Sequence, residues 1–265
     1  NDLILAPGLL AGTSLSSSNR LSVGAKSPLT GGAKEANAGG VFGLRLASSG
    51  IGALVLRGHA DQLSTLVIEG TRVTLEPCPE LAGLGVYDCA SALTKAYGAG
   101  AALGIVGPAG ERGLPVAAIA FTDKDGNPGR FAGRGGLGAV MGRKGVKAIV
   151  VHKPKGPPPT DEWTRLAKEV ARVALANPVI SGFFPVYGTA GTLEMTNAVG
   201  GLPTRSFREG RFELAERIGG EALRATILAR GGLMGHTCMP GCVVRCSKGS
   251  FAFLFFSSST RCFTL

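Results

Sequence analysis

Asn37-Ala-Gly-Gly-Val-Phe-Gly-Leu-Arg-Leu-Ala-Ser-Ser-Gly-Ile-Gly-Ala-Leu-Val-Leu56 is the stretch that decides the fold, because its order returns later in the chain. The second copy reads Arg130-Phe-Ala-Gly-Arg-Gly-Gly-Leu-Gly-Ala-Val-Met-Gly-Arg-Lys-Gly-Val-Lys-Ala-Ile-Val-Val151. Each copy runs polar loop, glycine pair, short helix, glycine, buried strand. A glycine just past a helical run is a helix stop. The apolar, β-branched run after it reads as a strand. Two copies predict a duplicated unit with a pseudo-twofold relation, in which two Gly-rich helix starts face one bound ligand.

Outward from the repeat, short apolar runs predict strands at residues 3–6, 20–24, 64–69, 72–75, 101–106 and 115–121, with a helix at 88–97 between the halves. Pro154-Lys-Gly-Pro-Pro-Pro159 reads as a stiff linker. Composition then changes. Thr160 has the character of an N-cap, with Asp161 and Glu162 in the first turn. Trp163, Leu166, Ala167, Val170 and Ala174 recur at helical spacing, and residues 214–229 form a second amphipathic candidate. The expected fold is α+β: a duplicated sheet-rich base domain over 1–153, the start of a helical domain over 160–248, and an atypical tail over 249–265.

The chain ends carry their own expectations. Asn1 opens almost directly onto an apolar strand, which reads as a fragment. Residues 249–265 hold five of the 12 phenylalanines with neither helical period nor charged face. A frameshifted or artificial tail is the reading adopted, and a short strand around 251–256 is the alternative.

Composition narrows the function classes. The 42 glycines fall in short motifs without a Gly-X-Y period, which excludes collagen. Lys plus Arg exceeds Asp plus Glu by 28 to 18, and a net charge of +10 favours anionic partners. The basic residues are spread out, with no aromatic-interleaved basic stretch, so nucleic acid is not an expected partner. No apolar run reaches the ~18–20 residues of a membrane span, and no signal-peptide pattern is visible. A cytoplasmic location is the expectation.

Two features carry chemistry. Backbone N–H groups at Gly-rich helix starts make anion sites. Gly39-Gly40 and Gly135-Gly136 both qualify, with Arg20, Arg130 and Arg134 nearby; close helix-on-sheet packing is the competing reading. Gly133-Arg-Gly-Gly-Leu-Gly138 has the form G-x-G-x-x-G, but no acidic residue follows at a ribose-binding distance, so a Rossmann site is not expected. The second feature is His236-Thr-Cys238-Met-Pro-Gly-Cys242-Val-Val-Arg-Cys246. Three thiolates this close suit an iron–sulfur cluster. With His236 they also make a tetrahedral zinc set, and spacing leaves both open. Cys78 and Cys89 read as ordinary thiols.

Several ordered motifs together resemble the tungsten-containing aldehyde ferredoxin oxidoreductases. They are Asn1-Asp-Leu-Ile-Leu-Ala-Pro-Gly-Leu-Leu-Ala-Gly-Thr13, Arg20-Leu-Ser-Val-Gly-Ala-Lys-Ser-Pro-Leu-Thr-Gly31, Ala36-Asn-Ala-Gly-Gly-Val-Phe-Gly43, Gly107-Pro-Ala-Gly110, Ala132-Gly-Arg-Gly-Gly-Leu-Gly-Ala-Val-Met-Gly142, Tyr187-Gly-Thr189 and Pro203-Thr-Arg205. The resemblance covers roughly residues 1–247 and implies a tungstopterin (or molybdopterin) with two pterins, a magnesium ion bridging their phosphates, and a [4Fe-4S] cluster. It implies pterin contacts from Arg20, Ala38 and Gly39, with Asn37 and Phe131 lending backbone carbonyls near the magnesium. Arg130, Ala132, Gly133 and Arg134 would bind the second pterin, and Cys238, Cys242 and Cys246 the cluster.

The implied reaction is aldehyde oxidation to a carboxylic acid, with ferredoxin or another electron-transfer protein as acceptor, in a homodimer or larger complex. Catalytic acid–base residues have no match in this chain. The cysteine spacing is one residue longer in its first gap than the family's commonest pattern. The isolated chain is therefore expected to be inactive. The alternative is a non-catalytic product or a zinc-binding module using His236 and the three cysteines.

Overall fold

The computed structural model describes residues 2–154 and 160–249 and divides into two units. Unit 1 comprises Asn1–Lys168 and Cys238–Gly241, and unit 2 comprises Glu169–Thr237 and Cys242–Leu265. Most of the proline linker, and the tail beyond Gly249 with Cys262 and the alternative strand at 251–256, lie outside the described residues.

Unit 1 is built twice over. β1 (Leu3–Pro7), β2 (Leu21–Lys26) and β3 (Ala33–Ala38) form an antiparallel meander. Helix α1 (Phe42–Ser48) then returns the chain to β4 (Leu54–Leu56), which pairs antiparallel with β1. β5 (Ser64–Glu69), β6 (Arg72–Pro77) and α2 (Val86–Tyr97) intervene. The pattern then repeats: β7 (Ala102–Ile105), α3 (Pro108–Glu111), β8 (Ile119–Phe121), β9 (Arg130–Ala132), α4 (Leu137–Arg143) and β10 (Val146–Val151), with β10 antiparallel to β7. The sheet orders are β3-β2-β1-β4 and β6-β5-β10-β7-β8-β9. Strands β4-β1-β2-β3 thus correspond to β10-β7-β8-β9. The second copy alone is extended, by β5 parallel to β10 and β6 antiparallel to β5.

The duplicated unit is larger than the sequence repeat, because the first strands of each copy share no motif. The two polar loops expected before the glycine pairs are strands, β3 and β9. Neither contains a β-branched residue, and Phe131 is the one strand former in the two, so propensity gave little signal, and pairing with β2 and β8 decides the matter. The strand expected after Gly50 is confined to Leu54–Leu56, and the one expected at 115–121 to Ile119–Phe121. The helix stops are as expected. Gly50 and Gly145 both have positive φ, 78° and 70°, and Gly50 N–H donates to Ala47 while Ile51 N–H donates to Leu46.

One core joins the copies. Leu3, Leu5, Leu21 and Phe42 from the first pack with Phe121, Leu137, Met141 and Ile149 from the second. The Phe42 and Phe121 rings meet edge-on with centroids 5.0 Å apart. Each fully buried side chain of this size contributes roughly 1.5–3 kcal/mol. On the other face of the larger sheet, Cys89, Ala90 and Leu93 of α2 cover Leu103, Ile105 and Val150. Strand β10 is therefore buried along its whole length. A register shift between Val146 and Ala148 re-aims Lys147. Its fully buried ammonium donates to Leu84 O at 2.8 Å and pairs with Glu111 on α3.

Helix α5 (Asp161–Leu175) begins as expected, with Thr160 Oγ1 accepting Trp163 N–H at 3.3 Å. Unit 2 is mostly helical, in short pieces: residues 179–183, α6 (Phe184–Tyr187), α7 (Leu193–Ala198) and α8 (Gly220–Ala229). The long helix expected at 214–229 is instead a 3₁₀ turn at Ala215–Arg217 followed by α8. Gly219 is extended at the break, where the Gly-Gly step removes helix propensity. Strands β11 (Leu233–His236) and β12 (Ser247–Gly249) form a small antiparallel ribbon around the cysteine segment.

Candidate functional site

In unit 1 the two sheets approach one another at β3 and β9, each the third strand of its copy. Asn37 and Ser22 are register partners across β2 and β3. Arg20 Nε donates to Asn37 Oδ1, and Asn37 Nδ2 donates to Ser22 Oγ at 3.4 Å. Ala38 is buried and pairs with Leu21, so its contribution to the site is backbone. Glu35 shares the exposed face of β3 with Asn37.

Gly39 and Gly40 follow. A Cβ placed on Gly39 would lie 3.5 Å from Cys238 Sγ, 3.6 Å from Arg20 Nη1 and 3.6 Å from Met239 Cε. One on Gly40, whose φ is 98°, would overlap the Thr122 carbonyl and lie 3.5 Å from Arg130 Cγ. The dipeptide therefore has Arg20 and Cys238 at one residue and Arg130 at the next. Val41 N–H donates to Thr122 O at 3.0 Å, tying this turn to the second copy.

The second copy reciprocates. Arg130 opens β9 and lies 3.7 Å from Asp123, whose carboxylate is buried. Phe131 is half exposed and Ala132 is buried and paired with Ile119. Gly133 and Arg134 are exposed. A Cβ on Gly135 would overlap Lys34 of β3, and Ser27 Oγ donates to Gly135 O at 2.8 Å. Each glycine pair thus meets the other copy. At Gly40 and Gly135 the close approach is to this chain's own atoms, so packing accounts for glycine there. Gly39 differs, because its neighbours are the arginine and cysteine singled out for chemistry.

The cysteines are divided between the units: Cys238 belongs to unit 1, Cys242 and Cys246 to unit 2. Cys242 is buried, Cys238 and Cys246 are half-buried, and no described cysteine is in a disulfide. In unit 2, a Cβ on Gly188 would lie 2.6 Å from the Cys246 carbonyl, which explains the glycine of Tyr187-Gly-Thr189. Lys248 Nζ donates to Phe184 O at 3.0 Å and Pro185 O at 2.6 Å, so the chain beyond Cys246 is pinned to α6. Burial lowers the Lys248 pKa. His236 ends β11, half-buried. Burial raises the thiol pKa of Cys78, and that of Cys89 to about 11, so both remain protonated core thiols at neutral pH.

Lys34, Thr122, Asp123 and Lys248 were not singled out from sequence. Thr122-Asp-Lys-Asp-Gly126 between two apolar runs carries an Asx-turn signal that points to Asp123. The other three depend on tertiary contacts alone.

Against known proteins, residues 1–153 match the family model described as "Aldehyde ferredoxin oxidoreductase, N-terminal domain". Residues 165–251 match "Aldehyde ferredoxin oxidoreductase, domains 2 & 3". A tungsten-containing aldehyde ferredoxin oxidoreductase of Pyrococcus abyssi is 38% identical over 233 residues, 87% of this chain and 38% of the relative. That of Thermococcus kodakarensis is 37% identical over 245 residues, 91% of this chain and 40% of the relative. Among solved structures, the active-site complex BamBC of benzoyl coenzyme A reductase, in complex with 1,5-dienoyl-CoA, superposes with a TM-score of 0.70 at 26% identity. It covers 94% of this chain and 38% of that one. The chain spans about two fifths of the length of the curated relatives it matches.

Proposed function

The chain belongs to the aldehyde ferredoxin oxidoreductase family, and from that premise we propose that it supplies the cofactor-binding floor of a tungsten- or molybdenum-dependent enzyme oxidising an aldehyde to a carboxylic acid. The observation that carries this reading is the convergence of Arg20, Asn37, Cys238 and Arg130 on the Gly39-Gly40 turn.

The residues present fit the implied groups. Arg20, Lys34, Arg130 and Arg134 give the face where the copies meet several cationic donors, which suits pterin phosphates. Gly39 carries no side chain between Arg20 and Cys238, so a ligand could approach its backbone closely. Asn37 and Phe131 would turn backbone carbonyls toward a magnesium ion. Cys238, Cys242 and Cys246 offer three thiols outside any disulfide, which suits an iron–sulfur cluster. Bound there, a metal–dithiolene centre supplies two-electron redox chemistry and a cluster supplies a one-electron relay. The chain's own part is to anchor anions, orient the pterins through Arg20 and Arg130, and hold Cys238 beside the same turn.

Ferredoxin or another electron-transfer protein is the proposed acceptor, and an excess of basic residues suits docking of an acidic partner. A small aldehyde is the proposed substrate, and the cytoplasm the proposed location. Among the described residues, no single helix is long and apolar enough to cross a membrane, although Asp161–Leu175 and Val179–Tyr187 pass that test as a bent pair. Metal analysis with a visible spectrum tests the reading. Tungsten or molybdenum with iron, in a coloured protein, is the expected result. A colourless protein holding zinc would instead support a His236–cysteine site.

A further inference from the structure

We propose that Asp123 is a positioning residue that fixes the Arg130 guanidinium while the arginine stem passes beside Gly40; the consequence for cofactor binding rests on the function proposed above. Asp123 is the second residue of the loop between β8 and β9 and is only 6% exposed. Its Oδ1 accepts the N–H groups of Asp125 at 3.0 Å and Asn127 at 3.1 Å, closing an Asx turn. Its Oδ2 lies 3.7 Å from Arg130 Nη2. A carboxylate this far from water needs compensation by donors and a counter-charge. Two backbone N–H groups serve one oxygen, and the guanidinium faces the other.

The constraint acts in both directions. Arg130 Cγ lies 3.5 Å from where a Gly40 Cβ would be, so the arginine passes the turn before reaching Asp123. Thr122, the preceding residue, is fully buried and accepts Val41 N–H at 3.0 Å through its carbonyl. One dipeptide, Thr122-Asp123, therefore sets the first copy's glycine turn and the second copy's arginine in register. The first copy does this differently. Arg20 is exposed, and its partner Asn37 is neutral and exposed. Arg20 is held by a hydrogen bond to a neutral amide, while Arg130 faces a buried carboxylate. A donor fixed before binding loses less conformational entropy when an anion arrives.

The test separates positioning from cofactor binding. Asp123→Asn keeps an oxygen for the two turn N–H groups but puts an uncharged NH₂ toward the guanidinium. Asp123→Ala removes both. Guanidinium rotation of Arg130 is read by side-chain NMR of the full chain, with Arg130→Lys assigning the signal, and melting temperature is read alongside. In Asp123→Asn the Arg130 rotation should quicken about tenfold, the equivalent of one weak charge-assisted contact, while the melting temperature stays near the parent's. Asp123→Ala should both quicken rotation and lower the melting temperature. Unchanged Arg130 rotation in Asp123→Asn overturns the proposal. So does a loss of stability in Asp123→Asn equal to that in Asp123→Ala, which would make the residue purely structural. Tungstopterin content of the protein from tungstate-supplied cells is the separate readout. Faster rotation with unchanged content upholds the positioning role and counts against the cofactor reading.

Discussion

At the residue scale, two adjacent glycines do different things. Gly40 sits at φ 98°, and a Cβ there would overlap the Thr122 carbonyl, so any side chain is strained and crowded. Gly40→Ala should destabilise by about 2–4 kcal/mol, combining left-handed strain with overpacking, measured by urea denaturation. Gly39 has no such conflict, since a Cβ there meets only ordinary contacts at 3.5–3.6 Å. Gly39→Ala should melt with the parent. Gly39→Val adds methyls beside Arg20 and Cys238, and should keep the fold while lowering tungsten and iron content. Full metal content in folded Gly39→Val would show that this glycine serves packing as well. The sequence displayed both glycines as one motif. It could not separate them, because the distinction depends on Thr122 and Cys238, residues far away in the chain.

At the element scale, helix α2 and strand β10 make two further expectations. Cys89, buried under α2, is pushed up to about 11 by desolvation, and Tyr97 at the helix end to about 12 by desolvation and its hydrogen bond to Glu76. Both groups keep their protons in the folded chain at pH values where the unfolded chain has released them. The unfolded state then binds fewer protons, so stability falls as pH rises from about 9 towards 11. Cys89→Ala should flatten part of that decline in a pH series of urea midpoints. On β10, Lys147 is fully buried and paired with Glu111, whose second oxygen accepts Gly83 N–H at 2.9 Å. Lys147→Met alone leaves Glu111 facing a buried gap and should cost about 3–5 kcal/mol. Lys147→Met with Glu111→Gln should recover part of the loss, and no recovery would mean that packing, not charge, sets the cost. From sequence, β10 read as an apolar strand interrupted by a lysine. The register shift that turns that lysine aside was not legible.

At the scale of the molecule, duplication is what the sequence displayed best. The glycine–helix–glycine–strand order of 37–56 and 130–151 located α1, α4, β10 and the pairing partner of each copy's first strand. The first strands of each copy were visible only as separate apolar runs, because burial constrains their polarity and leaves their identity free. Edge strands β3 and β9 read as loops, since an edge with one face in water needs few β-formers. The candidate site was legible as a set of residue types and a family resemblance. Its meeting point, the turn where both copies and Cys238 converge, was not, because contacts between residues about eighty to two hundred positions apart leave no local signal. On the function proposed above, this twofold floor would hold one cofactor between its two halves.

Anomalous diffraction at the tungsten absorption edge, from crystals of protein purified anaerobically from tungstate-supplied cells, tests that claim most directly. The expected result is a tungsten peak over the face where the two copies meet, with pterin phosphate density beside Arg20, Gly39 and Arg130. Tungsten bound elsewhere, or a metal only at His236 and the cysteines with the Gly39-Gly40 turn bare, would contradict it.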